Sequence, residues 1–226
     1  MAQVKLRNVR QPPIRRIAFT TPPNERARLA EEGRRLYAEY RTSWDEARLL
    51  AWVDGNLTPQ PPFPTREGGQ TAPPPLAGEG DGGRGHSDAV HDLLAHLAEQ
   101  MIDMHKARQA EMKGFLAWLE REIGAAVDGL TGKSWIGNYL GDYQKGEQAL
   151  PFDELLELLR KTARKLKVDP GKRAFQERLG EEYTRSLEAL NPIKARLAAT
   201  DWLIDRVVYR LYGLTEEEIK IVEGRE

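Results

Sequence analysis

The sequence predicts a mainly α protein: a long antiparallel helical hairpin and a small C-terminal helical bundle, with a disordered Pro/Gly-rich insertion. Three observations carry this. Leucine, alanine, glutamate and arginine are abundant while aromatic residues make up only 8% of the 226 residues, which is the bias of amphipathic helices rather than of sheets. Apolar residues recur every three or four positions over long stretches. Prolines and glycines collect between those stretches instead of punctuating short alternating runs.

The first element, residues 1–23, is an extended basic arm. It holds no acidic residue, while Lys5, Arg7, Arg10, Arg15 and Arg16 are basic and Pro12, Pro13, Pro22 and Pro23 forbid a helix. Ile14, Ile17 and Phe19 fit one short strand or an anchored strap. The first hairpin helix is expected within residues 24–57, capped by Asn24 and running to Val53, since Leu29, Leu36, Tyr40, Trp44, Ala47 and Leu50 recur at helical spacing. Residues 58–86 form the insertion. Half of the chain's 14 prolines and seven glycines fall between Thr58 and Gly85, in two related halves, PPFPTREGG and PPPLAGEGDGG, and no core can be built from that composition. A proline-rich ligand for an SH3-type domain is the functional alternative.

The longest helix is expected over 87–130. Ser87 supplies its cap, and Val90, Leu94, Leu97, Met101, Met104 and Met112 begin a seam that continues through Phe115, Leu119 and Ile123. Such a helix spans roughly 60 Å and must bury its seam, so the 24–53 helix is its expected antiparallel partner. Gly114 and Gly124 mark candidate kinks. Residues 131–150 read as a loop region with the aromatics Trp135, Tyr139 and Tyr143. Residues 151–226 hold the C-terminal helices, with Pro151, Pro170 and Pro192 each near a first turn, so that Ile193–Tyr212 is expected as a separate helix. Gly213 stands where a helix stops, and Thr215 with Glu218 forms a capping box for a short last helix.

Charge and composition bound the function. With 34 basic and 35 acidic side chains there is no global field to steer the chain to nucleic acid or membrane. The absence of cysteine excludes disulfides and thiolate metal sites, and without a leader or long apolar run the expected location is the cytoplasm, with no membrane partner.

Several patterns suggest chemistry and weaken on inspection. GLTGKSW, from Gly129 to Trp135, departs from a phosphate-binding loop because Val127 stands where the first glycine belongs and a helix precedes it. His91, His96 and His105 do not pair with one another at ligand spacing, although Asp92 and His96 do, and a solvated face explains them. Asp201, Asp205, Glu218 and Lys220 resemble a nuclease set only on paper, since all lie on helices. No catalytic, cofactor or metal residue is therefore assigned. Trp135, Tyr139 and Tyr143 at four-residue spacing fit either a stacking platform for bases or, as preferred, a core plug. The basic clusters carry more weight. Arg160, Lys161, Arg164, Lys165, Lys167, Lys172 and Arg173 face one acid, Asp169, and with Arg10, Arg15 and Arg16 of the arm they are the candidate contacts to DNA phosphates. The competing explanation is complementation of a helix dipole.

The stretch TDWLIDRVVYRLYGLTEEEIKIVEG, Thr200 to Gly224, resembles the carboxy-terminal end of large adenine-specific DNA methyltransferases of the fused type II (IIG) restriction–modification class. PPIRRIAFTTP, at Pro12 to Pro22, is similar to the strand that follows their TaqI-like target-recognition domain, and Ser87–Ser134 and Arg173–Asp201 to the helical region that closes the same proteins. The resemblance implies a helical scaffold that braces target recognition, with DNA and the methyltransferase and recognition domains of the same or a split protein as partners. It implies S-adenosylmethionine as the cofactor of the full-length enzyme and none in this chain. The family's Asn/Asp-Pro-Pro-Tyr/Phe motif is missing; the nearest string, Asn191-Pro192-Ile193-Lys194, lacks the second proline and the aromatic. The expectation is a piece or split-gene product that does not methylate DNA alone. The rival expectation is a stand-alone helical or coiled-coil interaction protein with no DNA role.

Overall fold

Seven α-helices follow one another in the computed structural model, which describes residues 19–57, 85–131 and 136–224. They are α1 (Pro23–Ser43), α2 (Ala47–Asn56), α3 (Ser87–Ile123), α4 (Asp128–Thr131), α5 (Phe152–Lys161), α6 (Arg173–Tyr212) and α7 (Glu216–Val222). No strand occurs among the described residues, so the protein is mainly α as expected. Most of the basic arm and the Pro/Gly-rich insertion lie outside those residues, as does the Gly132–Trp135 part of the loop-like motif. The chain divides into two compact units, residues 1–94 with 207–226, and residues 95–206.

In the first unit the single helix expected to reach Val53 is two. Pro23 opens α1 with Pro22 as its N-cap, so Asn24 sits inside the first turn. At the other end the hydroxyls of Thr42 and Ser43 donate to Glu39 O at 2.8 and 3.0 Å, and Trp44 turns left-handed at φ 58° while its N–H bonds Tyr40 O. Asp45 then accepts the Ala47 N–H at 3.0 Å and starts α2. The helix α2 folds back on α1: a Cβ on Gly33 would lie 3.1 Å from the Trp52 ring, and Arg48 pairs with Glu39 at 2.5 Å. Leu29, Leu36 and Tyr40 of α1 and Leu49, Trp52 and Val53 of α2 are buried in this unit.

The start of α3 is held beside the start of α1. Arg26 donates to both carboxylate oxygens of Asp92, at 2.6 and 2.5 Å, in the fork geometry that suits guanidinium. Thr21 binds Asp88 through its N–H at 3.0 Å and its hydroxyl at 2.5 Å, and that hydroxyl also lies 3.0 Å from His86 Nδ1. The two helices therefore begin together, which is not the antiparallel pairing expected of α1 and the long helix. The hairpin is made by α1 and α2 instead. Short connections favour antiparallel neighbours, and the three-residue turn at Trp44 brings α2 onto α1 before α3 begins.

In the second unit the antiparallel partner of α3 is α6. Glu122 pairs with Arg178 at 2.9 Å, and seven residues earlier the Phe115 ring meets that of Tyr183, five residues later on α6, at 5.7 Å. Tyr139 closes this aromatic cluster, 4.7 Å from Phe115, with its hydroxyl 2.6 Å from Ser186 Oγ. Leu155, Leu156 and Leu159 of α5 seal the same core, together with Leu179 and Leu190 of α6. The long helix ends at Ile123 rather than at Leu130, because Gly124 takes φ +68° and its N–H bonds Glu120 O.

One expected break is absent. Pro192 lies inside the continuous 40-residue helix α6. An interior proline forfeits one backbone hydrogen bond and costs about 3 kcal/mol. Buried Leu179, Tyr183, Ser186, Leu190 and Leu197 repeat in steps of three, four and seven across it, so the seam stays in register and its burial outweighs the loss.

Candidate nucleic-acid interface

The basic residues predicted between Arg160 and Arg173 form one structured connection between α5 and α6. Arg160 and Lys161 occupy the last turn of α5, a short 3-10 turn spans Ala163–Lys165, and Arg173 begins α6. Several bonds fix the connection. Lys167 N–H donates to Ile123 O at 2.8 Å, satisfying a carbonyl at the end of α3, and Lys165 Nζ reaches Gly129 O at 3.0 Å. Asp169 accepts the Gly171 N–H at 2.8 Å, and Gln176 donates to Pro170 O at 2.9 Å. Thr162 donates to Leu158 O at 2.9 Å.

All seven basic side chains on this connection are exposed. Lys161 pairs with Glu157 at 3.7 Å and Arg173 with Glu177 at 2.7 Å, each across one helical turn. Among the described residues, Arg160, Arg164, Lys167 and Lys172 form no ion pair. Dipole complementation explains Arg160 and Lys161, which sit at a helix C-terminus. It does not explain Lys172 and Arg173, because they stand where α6 begins and no acid occupies its first turn. What remains is a solvent-facing set of cations on a backbone held by tertiary hydrogen bonds.

The other candidates are placed differently. Arg10, Arg15 and Arg16 lie outside the described residues. Tyr139 is fully buried and its phenol is pushed up to about 12 by burial, so it packs in the core and is not a platform for bases. Tyr143 is half-buried, and burial first, then the Asp201 carboxylate, raises its phenol above the ordinary value. Trp135 lies outside the described residues. Asp92, spaced to share a metal with His96, is gripped by Arg26. Glu218 is engaged in the capping box, where Thr215 N–H donates to its carboxylate at 2.9 Å and its own N–H reaches Thr215 Oγ1 at 3.3 Å. No cluster of three or more histidine or acidic residues suited to a metal occurs among the described residues.

Two features lie outside the sequence expectations. Lys194, in the middle of α6, is half-buried and donates to Leu140 O at 2.7 Å and Glu147 O at 2.5 Å, pinning the 140–147 turn. Burial lowers its ammonium below the usual lysine range. A groove of about 690 Å³ also runs along the exposed middle of α3. Part of its signal is in the sequence, because Arg108 stands at the seam position midway between Met104 and Met112.

The fold and this surface define a helical protein with a structured, cationic connection between two of its helices. The chain belongs to a family known by a domain of unknown function (DUF8810), whose model matches residues 87–208, from the first residue of α3 into the last turns of α6. That match includes the whole basic connection and leaves out α1, α2 and α7. No curated protein and no solved structure matches the chain. No helix among the described residues is long and apolar enough to cross a membrane.

Proposed function

We propose that this chain is a non-catalytic helical part of a site-specific adenine DNA methyltransferase of a restriction–modification system, bracing target recognition and holding DNA by its phosphates. The observation that carries the phosphate role is the fixed connection between α5 and α6, with Arg160, Arg164, Lys167 and Lys172 exposed and without ion pairs among the described residues. The methyltransferase assignment rests on the sequence resemblance of Thr200–Gly224, Ser87–Ser134 and Arg173–Asp201. Lys161, Lys165 and Arg173 join the same contact, and Arg10, Arg15 and Arg16 supply a second one from the arm. The partners are DNA and the methyltransferase and recognition domains, in the same or a separate polypeptide.

In this reading S-adenosylmethionine belongs to the methyltransferase domain, as does the Asn/Asp-Pro-Pro-Tyr/Phe motif that grips the flipped adenine and does not occur in this chain. The expected location is the cytoplasm, where the DNA is. Incubating the purified chain with S-adenosylmethionine and duplex DNA tests the non-catalytic role, with no methyl transfer expected; transfer overturns it. Duplex binding at low salt tests the phosphate role. The chain binds weakly and without sequence preference, and the complex dissociates as salt rises. Complete lack of binding would favour a stand-alone helical interaction protein.

A further inference from the structure

We propose that the face of α3 from Ile102 to Leu116, exposed at Ile102, His105 and Gln109 and half-buried where Met112 and Leu116 lean on the core, is a docking groove for an acidic amphipathic helix of a partner protein. Leu97 and Phe115 are buried, yet between them α3 buries no side chain. Residues 98–114 nevertheless form uninterrupted helix, and the groove lies along that face, with Gly137 and Asn138 on its other wall.

The groove has the spacing of a helix-packing seam. Ile102, His105, Gln109, Met112 and Leu116 line it in steps of three, four, three and four, which is the a/d alternation of a heptad. Lys106 and Lys113 then fall at e positions and Arg108 at a g position, where a partner helix places its charges. None of the described lining residues is acidic. Lys106 makes a 3.4 Å pair with Asp103 on its own helix, while Arg108 and Lys113 form no ion pair among the described residues.

These features select the occupant. A helix with apolar a and d residues and glutamate at its e and g positions satisfies both the Ile102, Met112 and Leu116 floor and the cationic flanks. A second copy of the same face would set cation against cation, so self-pairing is disfavoured. Nucleic acid fits less well, because the floor is aliphatic and the described lining residues include no Phe, Tyr or Trp to stack on bases. His105 and Gln109 in the seam lower affinity and favour one register. The face is about 21 Å long at 1.5 Å per residue, which calls for a partner segment of about two to three heptads.

The probe is a synthetic peptide of about three heptads with leucine at a and d and glutamate at e and g, titrated against the full chain by fluorescence anisotropy. An otherwise identical peptide with lysine at e and g serves as control. The acidic peptide is expected to bind in a salt-dependent way and the lysine peptide not to bind. The double variant Lys106→Glu/Lys113→Glu should weaken the acidic peptide by at least about tenfold with an unchanged melting curve. Ile102→Asp, at a position 54% exposed and so tolerant of change, should do the same. Neutralising Arg160 and Arg164 should leave peptide binding unchanged, which keeps this test separate from that of the DNA contact. Absence of peptide binding, equal binding of both peptides, or insensitivity to both variants overturns the proposal. So does a charge reversal that abolishes oligonucleotide binding but spares the acidic peptide, because the face would then serve nucleic acid.

Discussion

Replacing Asp88 with asparagine removes one charge and no volume, so it isolates what the carboxylate contributes where α1 and α3 begin together. Asp88 is 1% exposed and accepts three hydrogen bonds, from Thr21 N–H at 3.0 Å, Thr21 Oγ1 at 2.5 Å and its neighbour Ala89 N–H at 3.0 Å. Burial pushes its carboxyl up, but the bonds from Thr21 and Ala89 and the nearby Arg26 charge outweigh that and hold it below the usual carboxylate range. An asparagine keeps one acceptor and turns a donor toward a group that already donates. One buried donor is left unsatisfied, costing about 1–3 kcal/mol, and the remaining bonds lose their charge assistance, so the total is about 2–4 kcal/mol. The sign of the pH dependence follows from the depressed folded value. The stabilisation is fully present above the unfolded carboxyl value of about 4 and is lost as pH falls through the lower folded value. Urea unfolding of the unaltered chain and the Asp88→Asn variant, from neutral pH down through about pH 3, measures this. The gap between the two proteins should be constant near neutrality and close in acid. A difference below about 0.5 kcal/mol at neutral pH, or one that persists unchanged in acid, would refute the role assigned to the carboxylate.

Three further outcomes test the local physics. Gly124→Ala should cost about 1–2 kcal/mol, because the residue sits at φ +68° and its new Cβ would lie 2.7 Å from Lys167 Cγ; chemical denaturation reads the loss. Thr215→Ala removes the capping box and should destabilise α7 by about 1 kcal/mol, seen as faster hydrogen exchange of the Glu218 amide without a change in global melting. Tyr139 and Tyr183 are each pushed up to about 12 by burial, so the folded state keeps protons that the unfolded state releases near 10. Stability is therefore full below about pH 10 and declines from there toward about 12, and ultraviolet difference absorbance should show these phenols ionising only with unfolding.

The helical class, the glycine stop and the capping box were legible because each is written in local residue chemistry. Thr215, Glu218 and Gly213 act within one turn, and Gly213 adopts φ +63° where the sequence alone implied a stop. Buried Leu203, Val207 and Leu211 show the face of α6 that packs. Helix partners were less legible, since an apolar stripe says that a face is buried and not against what. Tyr40, Trp44 and Ala47 keep helical spacing across the place where the chain reverses, so periodicity concealed the turn; the polar cluster Thr42, Ser43 and Asp45 was the available signal. Pro192 misled in the opposite direction, because a nonlocal seam outweighed a local breaker. The candidate site was legible as charge, and Lys172 and Arg173 stand where α6 begins, against its helix dipole.

The central claim is most directly tested by the salt slope of duplex binding before and after neutralising the connection between α5 and α6. Four phosphate contacts from Arg160, Arg164, Lys167 and Lys172 contribute a slope of about −3.6, equivalent to roughly a 150-fold loss of affinity between about 50 and 200 mM salt. The variant with all four changed to glutamine should keep its melting temperature, since these side chains are exposed. Its slope should flatten by roughly one unit per residue, leaving only what Arg10, Arg15, Arg16 and the remaining cations supply. Unchanged affinity and slope in that variant, or no binding by the unaltered chain at about 50 mM salt, would contradict a phosphate-holding role for this surface.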